Sequence, residues 1–336
     1  MQTRAQPLRV AVVGHVEWVQ FARVAHVPRA GEVVHAHAPF EEPAGGGGVA
    51  AVQLARLAGR ALLITALGDD ELGHRSVSRL RELGVEVATA WRPGPTRRAV
   101  TLVDDPGERT ITTFGARLEP TIEDAELPWT ALAEMDAVYF TAGDAGALRA
   151  ARAAGTLVAT PRAGKALQQD GSALDALVLS GDDAIELSLA RQARVAAQLT
   201  VHTEGAKGGS YTQHGGDSGL GENPGAGEDP GLGEDPGAGE DPGLGENPGA
   251  GADPGAGADP GGGADPGGGA DSGRFAAAPV PGQIVDAYGC GDSFAAGLTY
   301  GLGAGLPTDQ ALALAARCGA FCLTGNGPYE RQLSTG

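Results

Sequence analysis

The chain is poor in cysteine, and its arrangement excludes two common architectures. The three cysteines, Cys290, Cys318 and Cys322, are an odd number with no Cys-x-x-Cys pair and no matching histidine pattern. A disulfide framework and a structural zinc site are therefore not expected. Cys318 and Cys322, four apart, read as small core residues on one helix face. No uninterrupted apolar run approaches the ~20 residues of a membrane span. The short polar stretch Met1 to Arg9 leads into Val10-Ala11-Val12-Val13, too brief for a signal-peptide core. A soluble, cytoplasmic protein without a membrane partner is the expectation. Also missing are a Gly-x-x-x-x-Gly-Lys-[Ser/Thr] loop and a Gly-x-Gly-x-x-Gly after the first strand, so neither a Walker A nor a dinucleotide-binding fingerprint is present.

Basic residues are scarce too, with 24 Lys and Arg against 42 Asp and Glu and a formal net charge of −18. Much of that imbalance sits in one segment. Residues 215–273 hold 23 Gly, 8 Pro and 13 acidic residues, with no aromatic, β-branched or basic side chain. The remainder carries −5, ordinary for a soluble enzyme, and offers no basic stripe for a nucleic-acid backbone. The segment repeats Gly-x-Gly-[Glu/Ala]-[Asp/Asn]-Pro with prolines six apart from Pro224 to Pro266. Its variable position is Ala, Leu or Gly, which gives a solenoid no core, so a disordered acidic insert is expected. It enters between strand-like Tyr211-Thr212-Gln213 and Arg274-Phe275-Ala276, in place of a hairpin turn. Residues 1–214 and 274–336 then form one folding unit.

That unit has an α/β rhythm. Residues 8–14 read as a buried strand. Four glycines at 45–48 precede the apolar helical pattern Val49 to Leu57, where N–H groups at a helix start can meet a ligand. A strand over 61–67 and a helix to Leu83 follow, and further strands are expected near 136–142, 156–160, 176–180 and 199–203. This predicts a central, mostly parallel sheet with helices on both faces. Residues 98–104 and 109–114, joined by Asp105-Pro106-Gly107, read instead as a hairpin outside that sheet. With residues near 17–38 it forms a candidate β lid, from about 17–38 and 97–114.

The chemistry concentrates in Gly289-Cys290-Gly291-Asp292-Ser293-Phe294, after the apolar strand end Ile284-Val285. A glycine-bracketed turn at a helix start gathers N–H donors at the positive end of the helix, where an anion is held. Asp292 at that point has two readings. It is a base that takes a proton from an attacking hydroxyl, or it is an ordinary helix N-cap.

Residues 285–294 resemble the signature of the PfkB, ribokinase-like carbohydrate kinase family, with Ala287, Tyr288 and Cys290 departing from its usual residues. The resemblance extends to Gly45–Gly59, a glycine-rich first signature, to Ala66–Gly84 with its Gly-Asp-Asp-x-x-Gly, and to Thr203-Glu204-Gly205-Ala206-Lys207-Gly208-Gly209, a nucleotide loop. Laid on this sequence, it implies transfer of the ATP γ-phosphate to a hydroxyl of a small sugar-like substrate. Asp292 would be the base and Gly289, Cys290 and Gly291 the anion hole. Thr203, Gly205, Lys207 and Gly208 would bind nucleotide, with adenine toward the helix around 311–322. Glu17, Gly45, Gly46 and Gly47 would face the acceptor. Mg2+ would arrive with ATP, with Asp183 acting on it indirectly, and Asp286 matches the monovalent-cation (K+) site of some members. The lid edges of such proteins also pair between subunits, which implies a possible homodimer.

The departures cluster on the acceptor side. Val19 stands where sugar kinases of this family place an Asp, and Gly47 and Ala50 where ribokinases place Lys and Asn; in the magnesium-organising motif, Ser180 stands where the family has Asn. A site built for a sugar hydroxyl loses strongly when a partner is missing, so ribose is not the expected acceptor. A nucleoside or other non-pentose kinase, and a nucleotide-binding member without turnover, are the alternatives. Trp18 and Phe21 read equally as substrate-stacking or lid-core residues. His35 and His37 lack a third metal ligand and read as a solvated strand.

Overall fold

The computed structural model describes residues 7–214 and 270–335. Its main sheet has nine strands in the order β13-β12-β11-β10-β9-β8-β1-β4-β5, and a second sheet of four runs β3-β2-β6-β7. In chain order the elements are β1 (Val10–Val13), β2 (Glu17–Arg23), β3 (His37–Ala44), α1 (Gly45–Ala58), β4 (Ala61–Gly68), α2 (Glu71–Glu82) and β5 (Val85–Arg92). Then come β6 (Arg98–Val103), β7 (Arg109–Phe114), β8 (Ala137–Phe140), α3 (Ala145–Ala151), β9 (Thr156–Ala159), α4 (Gly164–Gln169), β10 (Leu174–Ser180) and α5 (Ala184–Ala193). The last are β11 (Ala197–Thr203), β12 (Gly209–His214), β13 (Ala270–Phe275), α6 (Cys290–Gly303) and α7 (Thr308–Cys322). No helix among the described residues is long and apolar enough to cross a membrane.

The pleat sends alternate β1 side chains to opposite cores. Val10 and Val12 join a cluster with α1, α2, α6 and α7, while Ala11 and Val13 join one with α3 and α4. In the main sheet the seven strands from β5 across to β11 in the spatial order pair in parallel, and β12 and β13 run antiparallel. β1 pairs with β4 on one side and β8 on the other. The chain thus winds outward to β5 and returns beyond β1, making a switch point between β1 and β8, where α/β sheets open a ligand crevice at the carboxyl ends.

Several expectations are corrected. The glycine run does not precede its helix but forms its first turn, because Gly47 packs its Cα region against the loop after β1 and donates to His15 O at 3.1 Å. β5 lay unread in the sequence, since its burial alternates irregularly at the sheet edge. Ile284-Val285 belongs to no strand. Ile284 is half exposed, and Val285 instead hydrogen-bonds Leu323 O through its N–H. The second sheet takes in β3 to Ala44, six residues past the expected lid limit at 38, because β3 pairs along β2 as far as Glu17–Ala44. Trp18 and Phe21 are buried in that sheet's core, Phe21 stacking on Phe40 at 4.7 Å and meeting Tyr288 edge-on at 4.9 Å. Finally, Ala270–Gly273, assigned above to the insert, pair with β12 from His214–Ala270 onward. The rest of the expected insert, 215–269, lies outside the described residues.

Candidate active site

The site begins with the turn into α6. Gly289, with φ of +78°, caps the helix from the left-handed region. A side chain there would also strike Val49 Cγ1 at 2.9 Å. Asp286 holds the preceding turn: Oδ1 accepts from Tyr288 N at 2.8 Å and Oδ2 from Gly327 N at 3.1 Å. With the turn fixed, the N–H groups of Cys290, Gly291 and Asp292 belong to the first helical turn and have no intrahelical acceptor. Gly291 opens onto free space, with nothing within 4 Å of a Cβ built on it.

Asp292 is the third residue of α6, not its cap, so the N-cap reading of the sequence does not hold. Burial raises its pKa to about 6. Arg109 and Arg162 pull it down, and Glu186 and Glu17 push it up. The carboxylate faces α1 across a hollow that only glycine leaves open. A Cβ on Gly46 would stand 3.0 Å from Asp292 Oδ1, 3.6 Å from His15 Cε1 and 3.7 Å from Thr141 Oγ1. Three ends of chain meet here: the loop after β1, the residue after β8 and the start of α6.

Of the expected acceptor-side residues, Gly46 borders Asp292 directly, and Gly45 and Gly47 abut the His15 ring and carbonyl. Glu17 is buried, with Oε2 3.3 Å from Arg97 Nε. Burial raises its pKa against the pull of Arg97 and Arg117. Val19 is fully buried in the core.

The expected nucleotide residues cluster at the carboxyl end of β11. Thr203 ends the strand, Gly205–Lys207 form a single helical turn, and Gly208 N donates to Gly205 O at 3.1 Å. Lys207 is exposed, while Gly208 is pressed against Phe275 O. Phe275 in turn lies 5.6 Å from Phe294, two residues past Asp292, so one aromatic contact ties the loop to α6. Gly181 N donates to Thr203 O at 2.8 Å, adding the end of β10.

The expected metal residues are otherwise engaged. Asp183 caps α5 by accepting from Ile185 N and Glu186 N, and its Oδ2 meets Arg162. The described residues contain no group of three or more His, Cys, Asp or Glu placed to hold a metal. His35 and His37 are both exposed.

Sequence reasoning missed His15, Arg97, Arg117, Thr141, Arg162 and Glu186. Three of them follow the carboxyl ends of β1, β8 and β9. Strand ends in an α/β sheet are where a ligand is expected, and that signal was available. Arg97 and Arg117 gave none, since they come from separate loops. Arg117 donates to Thr141 O at 2.7 Å and to Arg162 O at 3.2 Å. Glu186 accepts from Ser180 N at 2.8 Å and from Arg162 Nε.

Comparison with known proteins follows this geometry. The profile described as "pfkB family carbohydrate kinase" matches residues 8–177 and 268–335. The chain belongs to that family. It is thus a carbohydrate kinase, a phosphotransferase with an alcohol group as acceptor. Among solved structures it resembles the adenosine kinase of Sinorhizobium meliloti at 19% identity and a TM-score of 0.64, covering 98% of this chain and 97% of that one. It also resembles the ribokinase of Cryptococcus neoformans in complex with ADP, at 19% identity, TM-score 0.63 and 96% of each chain. The ribokinase of Arabidopsis thaliana complexed with ribose and ATP matches at 16% identity and TM-score 0.61, over 97% of this chain and 96% of that one. These likenesses carry the fold. No curated protein matches the sequence.

Proposed function

We propose that this kinase transfers the γ-phosphate of ATP to a hydroxyl of a small sugar-like substrate, with Asp292 as general base. The observation that carries the reading is a carboxylate with a pKa of about 6 at the start of α6, facing the hollow beside Gly46. An acceptor hydroxyl seated there gives its proton to Asp292 as its oxygen bonds to phosphorus. The bond to the ADP oxygen breaks, and the N–H groups of Gly289, Cys290 and Gly291 donate to the transferred phosphoryl. The products are a phosphate ester and ADP, and Asp292 returns its proton to solvent.

Thr203, Gly205, Lys207 and Gly208 line the nucleotide in this reading, and the ADP- and ATP-bound relatives support its cofactor. Mg2+ enters with the nucleotide. Asp183 does not fit a direct metal role, because both of its oxygens are already bonded, so no step is routed through a protein-held ion. A monovalent cation near Asp286 would balance a buried carboxylate that two backbone N–H groups alone satisfy. The second sheet acts as the lid, and its edge is the surface for a homodimer. The catalytic unit is the β12–β13 hairpin and everything outside 215–269, working in the cytoplasm.

Asp292→Asn tests the assignment by coupled ADP detection with ATP and a substrate panel. Turnover falls about 10²–10⁴-fold while ATP binding holds; unchanged turnover removes Asp292 from the chemistry. The adenosine kinase likeness favours one second reading, a nucleoside acceptor, which the same panel separates.

A further inference from the structure

The first turn of α1 is a poor helix start by its own sequence. It is made of four glycines, which lose more conformational freedom on ordering than any other residue, and its cap is Ala44, which offers the free N–H groups no side-chain acceptor. Gly45 itself stands in the left-handed region, at a φ of +81°. The turn is therefore held by contacts from elsewhere. Gly47 N donates to His15 O at 3.1 Å, and Gly45 N donates to the phenol oxygen of Tyr288 at 3.3 Å, a buried bond between residues 243 apart in sequence.

Tyr288 is one of the positions at which this chain departs from the family signature, and it is closely held. Its N–H donates to Asp286 Oδ1 at 2.8 Å, and its carbonyl accepts from the Cys322 thiol at 3.3 Å. Its ring is 5% exposed and meets Phe21 of the second sheet edge-on, at 4.9 Å. Gly289, the cap of α6, comes next in the chain. The side chain thus runs from the turn that begins α6 to the turn that begins α1. Those two turns face each other across the hollow, where a Cβ on Gly46 would stand 3.0 Å from Asp292 Oδ1. Gly46 follows Gly45, so the width of the hollow depends on where Tyr288 holds Gly45.

A second phenol serves as a comparison. Tyr329, also buried, donates through its hydroxyl to Pro43 O, two residues before Gly45. It anchors the end of β3, and among the described residues it makes no hydrogen bond to the turn before α6.

We propose that Tyr288 is a positioning residue for phosphoryl transfer: its phenol caps α1 where Ala44 cannot, and so holds the Gly46 wall of the hollow at a fixed separation from Asp292. The proposal rests on the reading of Asp292 as the base. A displacement of about 1 Å between reacting groups costs on the order of 10²-fold in rate, so even a small slackening of this wall is measurable.

Tyr288→Phe keeps the ring against Phe21 and removes only the oxygen that accepts from Gly45. The full chain is assayed with ATP and Mg2+ and with D-ribose, D-fructose and adenosine as acceptors. For the acceptor that the unaltered protein uses best, kcat/KM falls about 10–100-fold, while KM for ATP stays within about twofold. Hydrogen exchange of the 45–48 amides, followed by mass spectrometry, becomes about tenfold faster or more. Tyr329→Phe is the matched control. It also removes one buried hydrogen bond at this junction, so both variants lower the melting temperature alike, by about 2–4 °C, but in Tyr329→Phe kcat/KM stays within about threefold. An unchanged kcat/KM in Tyr288→Phe overturns the proposal. So does a fall without faster exchange at 45–48, which would put the phenol on the acceptor itself, and so does an equal fall in Tyr329→Phe. If none of the three acceptors yields ADP with the unaltered protein, that failure belongs to the kinase reading, and exchange alone judges the cap. Faster exchange at 45–48 in Tyr288→Phe than in Tyr329→Phe supports it, and equal exchange overturns it.

Discussion

The two halves of the proposed active site are built from different materials. The phosphoryl half is mostly backbone: a glycine cap, N–H groups in the first turn of α6 and one carboxylate, all within Gly289 to Asp292. The acceptor half is made of side chains from five places, namely His15, Glu17, Arg97, Thr141 and Arg162, none of them adjacent in sequence to Asp292. The chemistry of transferring a phosphoryl group is the same for every acceptor, so a short contiguous segment can hold it. Choosing the acceptor takes convergent side chains, and those are free to vary.

Substitutions can break that division of labour. The largest effect belongs to Asp292→Asn, which strikes only the phosphoryl half and lowers kcat about 10²–10⁴-fold with little change in KM for ATP. The same substitution stabilises the fold. A carboxyl whose pKa is raised in the folded state holds more protons there than when unfolded, so stability falls as pH climbs from about 4 through about 6. Asparagine removes that loss, and the melting temperature rises at pH 7.5 but hardly at pH 4, as differential scanning calorimetry would read. The next effect sits on the seam between the halves. Gly46→Ala places a methyl 3.0 Å from Asp292 Oδ1, so kcat falls and acceptor KM rises together, by roughly tenfold or more each. A change in one parameter alone would place the acceptor elsewhere. Smaller still is the pH response: kcat/KM declines below about pH 6 with unit slope as Asp292 gains its proton, and Arg109→Gln shifts that limb upward by removing the group that most favours its charge. Smallest is replacement of 215–269 by a two-residue turn. The β12–β13 pairing supports this hairpin, and melting temperature and ATP affinity change little.

The same contrast explains what could be read from the chain. Parallel strands with crossover helices, the second-sheet hairpin and the glycine-bracketed Asp292 all depend on local periodicity or on contiguous residues. Their places in the fold agree with that pattern. β5 escaped because an edge strand half open to solvent lacks a clean period. The limit of the second sheet at 38 was short because β3 carries Pro43 and two glutamates, a composition that does not announce a strand, and its pairing to β2 decides the matter. His15, Arg97 and Thr141 were silent for a different reason. Nothing in a single residue tells that its neighbour in space is the carboxylate of Asp292. Glu17 was singled out for the acceptor side, but its buried partner, Arg97, became visible only with the chain folded.

One contact joins the halves mechanically. The turn between β6 and β7 is bonded to the approach of α6, with Ala287 N donating to Gly107 O at 3.1 Å, and Arg23 of β2 reaches Val285 O at 3.0 Å. The second sheet therefore does not swing independently of the loop that ends in Gly289. If it acts as the proposed lid, closing over an acceptor would draw on the chain that sets the geometry of the first turn of α6. Recognition of the acceptor would then reach the proposed phosphate site through the main chain, making the enzyme slow to hydrolyse ATP when no acceptor is bound.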